Sequence, residues 1–253
     1  KYFRETHKLK NSKNDYSVFL LGTSISMNLI DYKKILTIKK NNFEIFSVGG
    51  YFESDLSNNL IPDYYLLSDK RTIIPEKTDI SDNEKKNYRE TLNKLSKLGV
   101  KTFIPVNYIN DDVSKELNVL YFNNFFSSST DNFSDITKTY NYNSISGIKA
   151  LSACIYMGYK NIYICGFDNN HWNNIKVDKE NRILQINRHF YDDDKKYHLN
   201  KTGKSISDML LYFHEIFKSY ELFRSNRIIN LDPDGLIDVF SKKHELDIYK
   251  KKF

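Results

Sequence analysis

A chain of 253 residues, 40% of them hydrophobic, carries enough apolar surface for a sizeable core, which excludes wholesale disorder and fits one large α/β domain. The formal charge of +6 favours anionic partners, yet the lysines are spread among many carboxylates and read as solvated surface. Two cysteines, Cys154 and Cys165, lie in apolar surroundings without metal-type spacing, which excludes a disulfide framework and points to buried, reduced thiols.

In chain order, YSVFLLG (residues 16–22) is a short apolar run ending in glycine, the pattern of a buried parallel strand. The next stretch, TSISMNLIDYKKIL, predicts a helix with Ser26 as its N-cap and Met27, Ile30 and Ile35 on one stripe. NFEIFSVGG (42–50) and IPDYYLLSDK (61–70) read as a second and third strand. Residues 81–99 form a charged helix capped by Ser or Asp and stopped by Gly99. VKTFIPVN and LNVLYFN are further strands, followed by a polar connection over 124–144 with the character of a lid. A helix over 148–159, with Ser146 as N-cap, leads into a strand over 161–165. Residues 169–203 are polar and form a second lid candidate, before an amphipathic helix at 205–223 and a last strand in NRIINLDPDG. This alternation predicts one Rossmann-like α/β domain over 1–253, with a mostly parallel sheet, helices on both faces and a small lid region.

In open α/β sheets ligands bind outside the carboxyl ends of the strands. Four strand ends are polar or glycine-rich: Gly22, Thr23 and Ser24; Gly49 and Gly50; Ser68 and Asp69; Gly166 and Asp168. Each alone is ordinary turn chemistry, but four in one chain favour a ligand crevice. LLGTSIS is neither a G-x-G-x-x-G fingerprint nor a P-loop. SISG at 144–147 reads as a cap, with Gly147 leaving room for a ligand against the helix amides.

Three blocks, LLGTSISMNLIDY, SISGIKALSACIYMGYKNIYICGFD and the later RHFY, are together similar to bacterial lipooligosaccharide sialyltransferases of glycosyltransferase family 42. The likeness extends with gaps over about 16–240, and the middle block is its most specific part. A broader group shares the G-x-D block, including flagellin-modifying nonulosonic acid transferases and pterin pyrophosphokinase-like proteins.

The resemblance implies a CMP-sugar donor, a glycan or glycolipid acceptor such as lipooligosaccharide or capsule, and neither cofactor nor metal. It places Gly22, Thr23, Ser24, Gly49, Gly50, Ser68 and Asp69 along the nucleotide. Ser146 and Gly147 match its Ser-Gly pair on the donor, and Gly166 and Asp168 its G-x-D. Thr23 and the Gly49-Gly50 pair depart from the family's Asn and Asn-Gln. The base falls to His189, Asp193 or His198, with Tyr191 and Tyr197 as phosphate-binding candidates.

Two other readings stand beside it: a nucleotide-dependent phosphoryl transferase, and a non-catalytic basic module. The run Asp192–Asp194 raises a divalent cation, but aspartates beside Lys195 and Lys196 read as a solvated loop. No basic-aromatic motif supports nucleic acid. The basic C-terminal segment around Ile248 and Phe253 is expected either to fray or to touch an anionic membrane surface. No apolar run spans a bilayer and no secretory leader is visible, so a cytoplasmic protein is expected, at most peripheral on the inner membrane face. The family often forms tetramers, which suggests a homo-oligomer. The opening Lys1 suggests a piece of a longer chain.

Overall fold

The computed structural model describes residues 2–143, 145–170, 175–185, 198–199, 205–242, 246 and 248–250. Its strands are β1 (Ser17–Leu21), β2 (Phe43–Val48), β3 (Tyr64–Leu66), β4 (Lys101–Pro105), β5 (Asn118–Phe122), β6 (Asn161–Cys165), β7 (Ile175–Val177), β8 (Ile183–Gln185), β9 (His198–Leu199) and β10 (Ile228–Asn230). Its helices are α1 (Arg4–His7), α2 (Tyr32–Lys39), α3 (Leu56–Asn59), α4 (Lys70–Ile73), α5 (Asp82–Leu98), α6 (Val113–Glu116), α7 (Ser146–Met157) and α8 (Ile206–Glu221).

Seven strands form one sheet in the order β10-β6-β1-β2-β3-β4-β5, and every neighbouring pair is parallel. The chain lays strands outward from β1 to β5, then returns to the other side of β1 with β6 and β10. The strand order therefore reverses between β1 and β6. This is the Rossmann-like α/β architecture expected from the apolar runs.

The runs are continuously apolar because the sheet is covered on both faces. Successive residues point to opposite sides. Val18, Leu20, Phe46, Tyr64 and Phe103 pack with Ile148 and Leu151 of α7 and Ile216 and Tyr220 of α8. Phe19, Leu21, Ile45, Tyr65 and Ile104 pack with Ile35 of α2 and Leu95 of α5. Each such fully buried aliphatic or aromatic side chain contributes roughly 1.5–3 kcal/mol relative to exposure. Cys154 and Cys165 are both buried and unpaired, as their neighbours suggested.

Local chemistry sets the helix boundaries. Ser81 opens α5 with a full capping box to Glu84, and Ser205 opens α8 with one to Asp208. Two expected caps differ. After β1 the chain forms a short 3-10 helix, Ile25–Leu29, with Ser24 at its N-cap, and the α-helix begins later behind Asp31. Ser26 is not a cap because its hydroxyl bonds Asp232. At α7 the N-cap is Ile145, and Ser146 is already helical.

Two further findings differ from the sequence reading. Within the polar stretch 169–203, β7, β8 and β9 form a small antiparallel sheet of their own. The C-terminal segment does not fray at residues 248–250. Ile248 is fully buried, its carbonyl accepts from Asp31 N at 2.8 Å, and Lys250 N donates to Leu29 O at 2.9 Å. Phe253 lies outside the described residues. Among the described residues no helix is long and apolar enough to cross a membrane.

Candidate active site at the sheet's switch point

β1 and β6 run in register to the same level, with Leu21 opposite Cys165, so their terminal glycines meet. A Cβ on Gly22 would stand 2.2 Å from the Gly166 carbonyl oxygen, which is why the two turns can touch. Gly166 has φ +78°, and a Cβ there would meet Met27 at 2.6 Å. Ser24 N donates to Gly166 O at 3.0 Å, and Asp168 N donates back to Ser24 Oγ at 3.2 Å.

The residue that ties this turn together was not singled out from sequence. Asp232, just beyond β10 and fully buried, accepts from Gly166 N, Phe167 N and Ser26 Oγ, each at 2.7 Å. Asp168, also buried, accepts from Ser26 N at 3.2 Å. Burial, and then the nearby Asp168 carboxylate, push the Asp232 carboxyl up to about 6 against the pull of its three donors. The available signal was positional: Asp232 is one more polar residue directly after an apolar strand, in IINLD.

A second cluster forms where β3 meets α7. The Ser68 and Ser146 hydroxyls lie 2.6 Å apart, and both residues are half-buried. Since Ile145 offers no side-chain cap, the first amides of α7 lack that acceptor. Next to them, a Cβ on Gly147 would stand 2.5 Å from the Phe167 ring and 3.6 Å from Tyr220 Oη. Burial pushes the Tyr220 phenol well above its usual range, while the Asn169 side chain pulls the other way. Its Oη makes no hydrogen bond of good geometry among the described residues. Phe167 also comes within 3.1 Å of a Cβ on Gly22, so one ring joins the two clusters.

This packing makes Gly147→Ala a sensitive change. The added methyl has to displace the Phe167 ring, and overpacking of this kind costs about 1–2 kcal/mol. We expect a lower urea midpoint at unchanged slope; a midpoint equal to wild type would mean that the ring yields freely.

The other strand ends serve more local roles. Gly49, at φ +65°, sits 3.5 Å (from its ideal Cβ) from the Thr23 methyl, and Tyr65 Oη donates to its carbonyl. Gly50 is the N-cap of a 3-10 turn, Tyr51–Glu53. Asp69 caps α4 through Arg71 N and pairs with the Arg71 guanidinium at 2.6 Å. Burial raises the Asp69 carboxyl, but the hydrogen bonds from Arg71 outweigh it and leave it below its ordinary value. The structure thus brings Gly22, Thr23, Ser24, Gly49, Gly166 and Asp168 around the switch point, and Ser68, Ser146 and Gly147 beside it. His189, Tyr191, Asp193 and Tyr197 lie outside the described residues, and His198 is described only by its backbone pairing with Gln185 in β9. Among the described residues no three His, Cys, Asp or Glu side chains group as a metal site.

No family model and no curated protein matches this chain. Among solved structures, it is similar to the MAf glycosyltransferase from Magnetospirillum magneticum AMB-1, with 15% identity and a TM-score of 0.48. The match covers 91% of this chain but only 37% of that one, so the chain spans little more than a third of its length.

Proposed function

We propose that this chain is a glycosyltransferase that moves a nonulosonic sugar from a CMP donor to a glycan acceptor. The observation that carries the reading is the Ser68–Ser146 hydroxyl pair at the start of α7, where no cap side chain takes the first amides; the space beside Gly147, expected to admit a ligand, is instead filled by the Phe167 ring. Such an end suits a single phosphate, because the amides point outward and the helix end is positive. The neighbouring switch-point turn, with the Thr23 and Ser24 side chains half-exposed, suits the nucleoside part. The motif likeness to family 42 supports the choice of a CMP donor.

Transfer needs stabilisation of the departing CMP phosphate and a base for the acceptor hydroxyl. Hydroxyls and amides serve the first task without a metal. The second falls to His189, with Asp193 and His198 as alternatives. Transfer assays on the three alanine variants identify the base as the one whose loss stops transfer and spares CMP binding.

The reading is tested by titration with nucleotides. CMP is expected to raise Tm by roughly 5 °C at a hundredfold excess over Kd, and transfer is expected to survive EDTA. Stabilisation by ATP with Mg²⁺ and none by CMP would replace the reading with phosphoryl transfer.

A further inference from the structure

At the end of the sheet opposite the candidate active site lie two cavities of about 320 and 250 Å³. The larger opens beside the amino ends of β2, β3 and β4, next to Glu44, Tyr64 and Lys101. The smaller lies between α3 and α5, next to Ser57, Asn58, Lys94 and Lys97. Ile61 and Leu98 line both, so the two form one groove with an apolar pair at its middle. These side chains remain 41% and 45% exposed. The turn from α5 to β4 leaves the groove bare: a Cβ on Gly99 would meet nothing within 4 Å.

The charges along this groove are unbalanced. Its two carboxylates already hold partners: Glu44 accepts from Lys13 Nζ and Tyr159 Oη, and Asp63 accepts from Ile45 N and Lys39 Nζ, both at 2.8 Å. Three lysines are left over. Lys94 Nζ donates to the neutral carbonyl of Phe52 at 3.2 Å, and Lys101 Nζ sits 5.4 Å from the centre of the Tyr64 ring. Lys97 and Leu98 follow Lys94 by three and four residues in α5, which puts them on its side of the helix. Among the described residues no carboxylate pairs with Lys94, Lys97 or Lys101. Three cations exceed the partial negative charge at the end of α5, so the groove stays positive.

We infer that this groove docks an acidic, apolar peptide segment of a partner protein, with an apolar side chain on Ile61 and Leu98 and carboxylates on Lys94, Lys97 and Lys101. The inference stands apart from the proposed function, because the groove and the switch point lie at opposite ends of the strands. Acidic side chains suit the three lysines, since each gains a charged partner that the fold withholds. An apolar centre ringed by polar and charged groups is the ordinary anatomy of a protein interface. A protruding chain fills hollows on both sides of the apolar pair, which a flat bilayer does not. Nucleic acid needs exposed rings to stack its bases, and the two aromatic residues lining the groove, Phe52 and Tyr64, are buried.

The experiment pans a random peptide library displayed on phage against the chain, then measures the selected peptides by fluorescence anisotropy. Selected sequences are expected to combine Asp or Glu with Leu, Ile or Phe, and to bind more weakly as salt rises. Their Kd is expected to rise about tenfold or more in the double variant Lys97→Glu with Lys101→Glu, and likewise in Leu98→Ser. All three positions are exposed, so Tm should stay close to wild type in both variants. Selected peptides without acidic residues, an affinity indifferent to salt, or unchanged binding to either variant would overturn the docking surface. A library that yields no binding peptide would overturn it as well. Tighter binding of phosphatidylglycerol vesicles or of single-stranded DNA than of the peptides, lost in the same variants, would overturn the peptide and put that partner in its place.

Discussion

Asp232→Asn is expected to cost about 1–3 kcal/mol of unfolding free energy, against the 5–15 kcal/mol that holds a domain of this kind together, the lost hydrogen bonds being offset in part because burial and Asp168 already disfavour this charge. The carboxylate gives two acceptor oxygens to three donors, the amides of Gly166 and Phe167 and the hydroxyl of Ser26. An asparagine keeps the shape but replaces one oxygen with an NH₂. Whichever way it turns, that NH₂ faces a donor, and at least one buried amide is left without an acceptor. Each such loss costs about 1–3 kcal/mol, more where a charged partner is removed. The two backbone amides are those of the turn that lies against Gly22 and carries Phe167 onto Gly147, so the loss should also loosen the switch point. Urea unfolding measures the first effect, and hydrogen exchange at Gly166 and Phe167 the second. A loss below about 1 kcal/mol would mean that the turn does not depend on this carboxylate.

The strands were legible because burial on both faces makes them continuously apolar, and YSVFLLG contains β1 whole. The helices α5 and α8 were legible because their capping boxes are short-range: Ser81 with Glu84, Ser205 with Asp208. What escaped was set by distant contacts. The cap expected of Ser146 fails because its hydroxyl meets Ser68, 78 positions away in sequence. Asp232 looked like one more turn residue because its donors lie 65, 66 and 206 positions away. The strands β7 and β8 have three residues each, too few to show a period. Lys149 passed unremarked within an apolar helix. Its burial comes from the cover after β5, a segment without periodicity, and a lone lysine in such a helix ordinarily reaches out to water.

Lys149→Met is expected to stabilise the protein by about 1–3 kcal/mol at pH 7. The wild-type amine falls from its ordinary 10.5 to about 8 through burial, which corresponds to roughly 3 kcal/mol spent on keeping it charged in the folded state. Methionine has similar length, needs no solvation and suits a wall of Phe103, Phe122 and Tyr142. The sign of the pH dependence follows from proton counts. Below about pH 8 both folded and unfolded wild type hold the proton, and the cost is paid in full. Between about 8 and 10.5 the folded chain has released it while the unfolded chain still holds it, so wild-type stability climbs with pH. The advantage of methionine should therefore be largest at neutral pH and shrink across that window. Unfolding midpoints for both proteins at pH 7, 8, 9 and 10 measure it. A variant less stable than wild type at pH 7 would mean that Asn124 and the rings of Phe122 and Tyr140 outweigh the cost of burial.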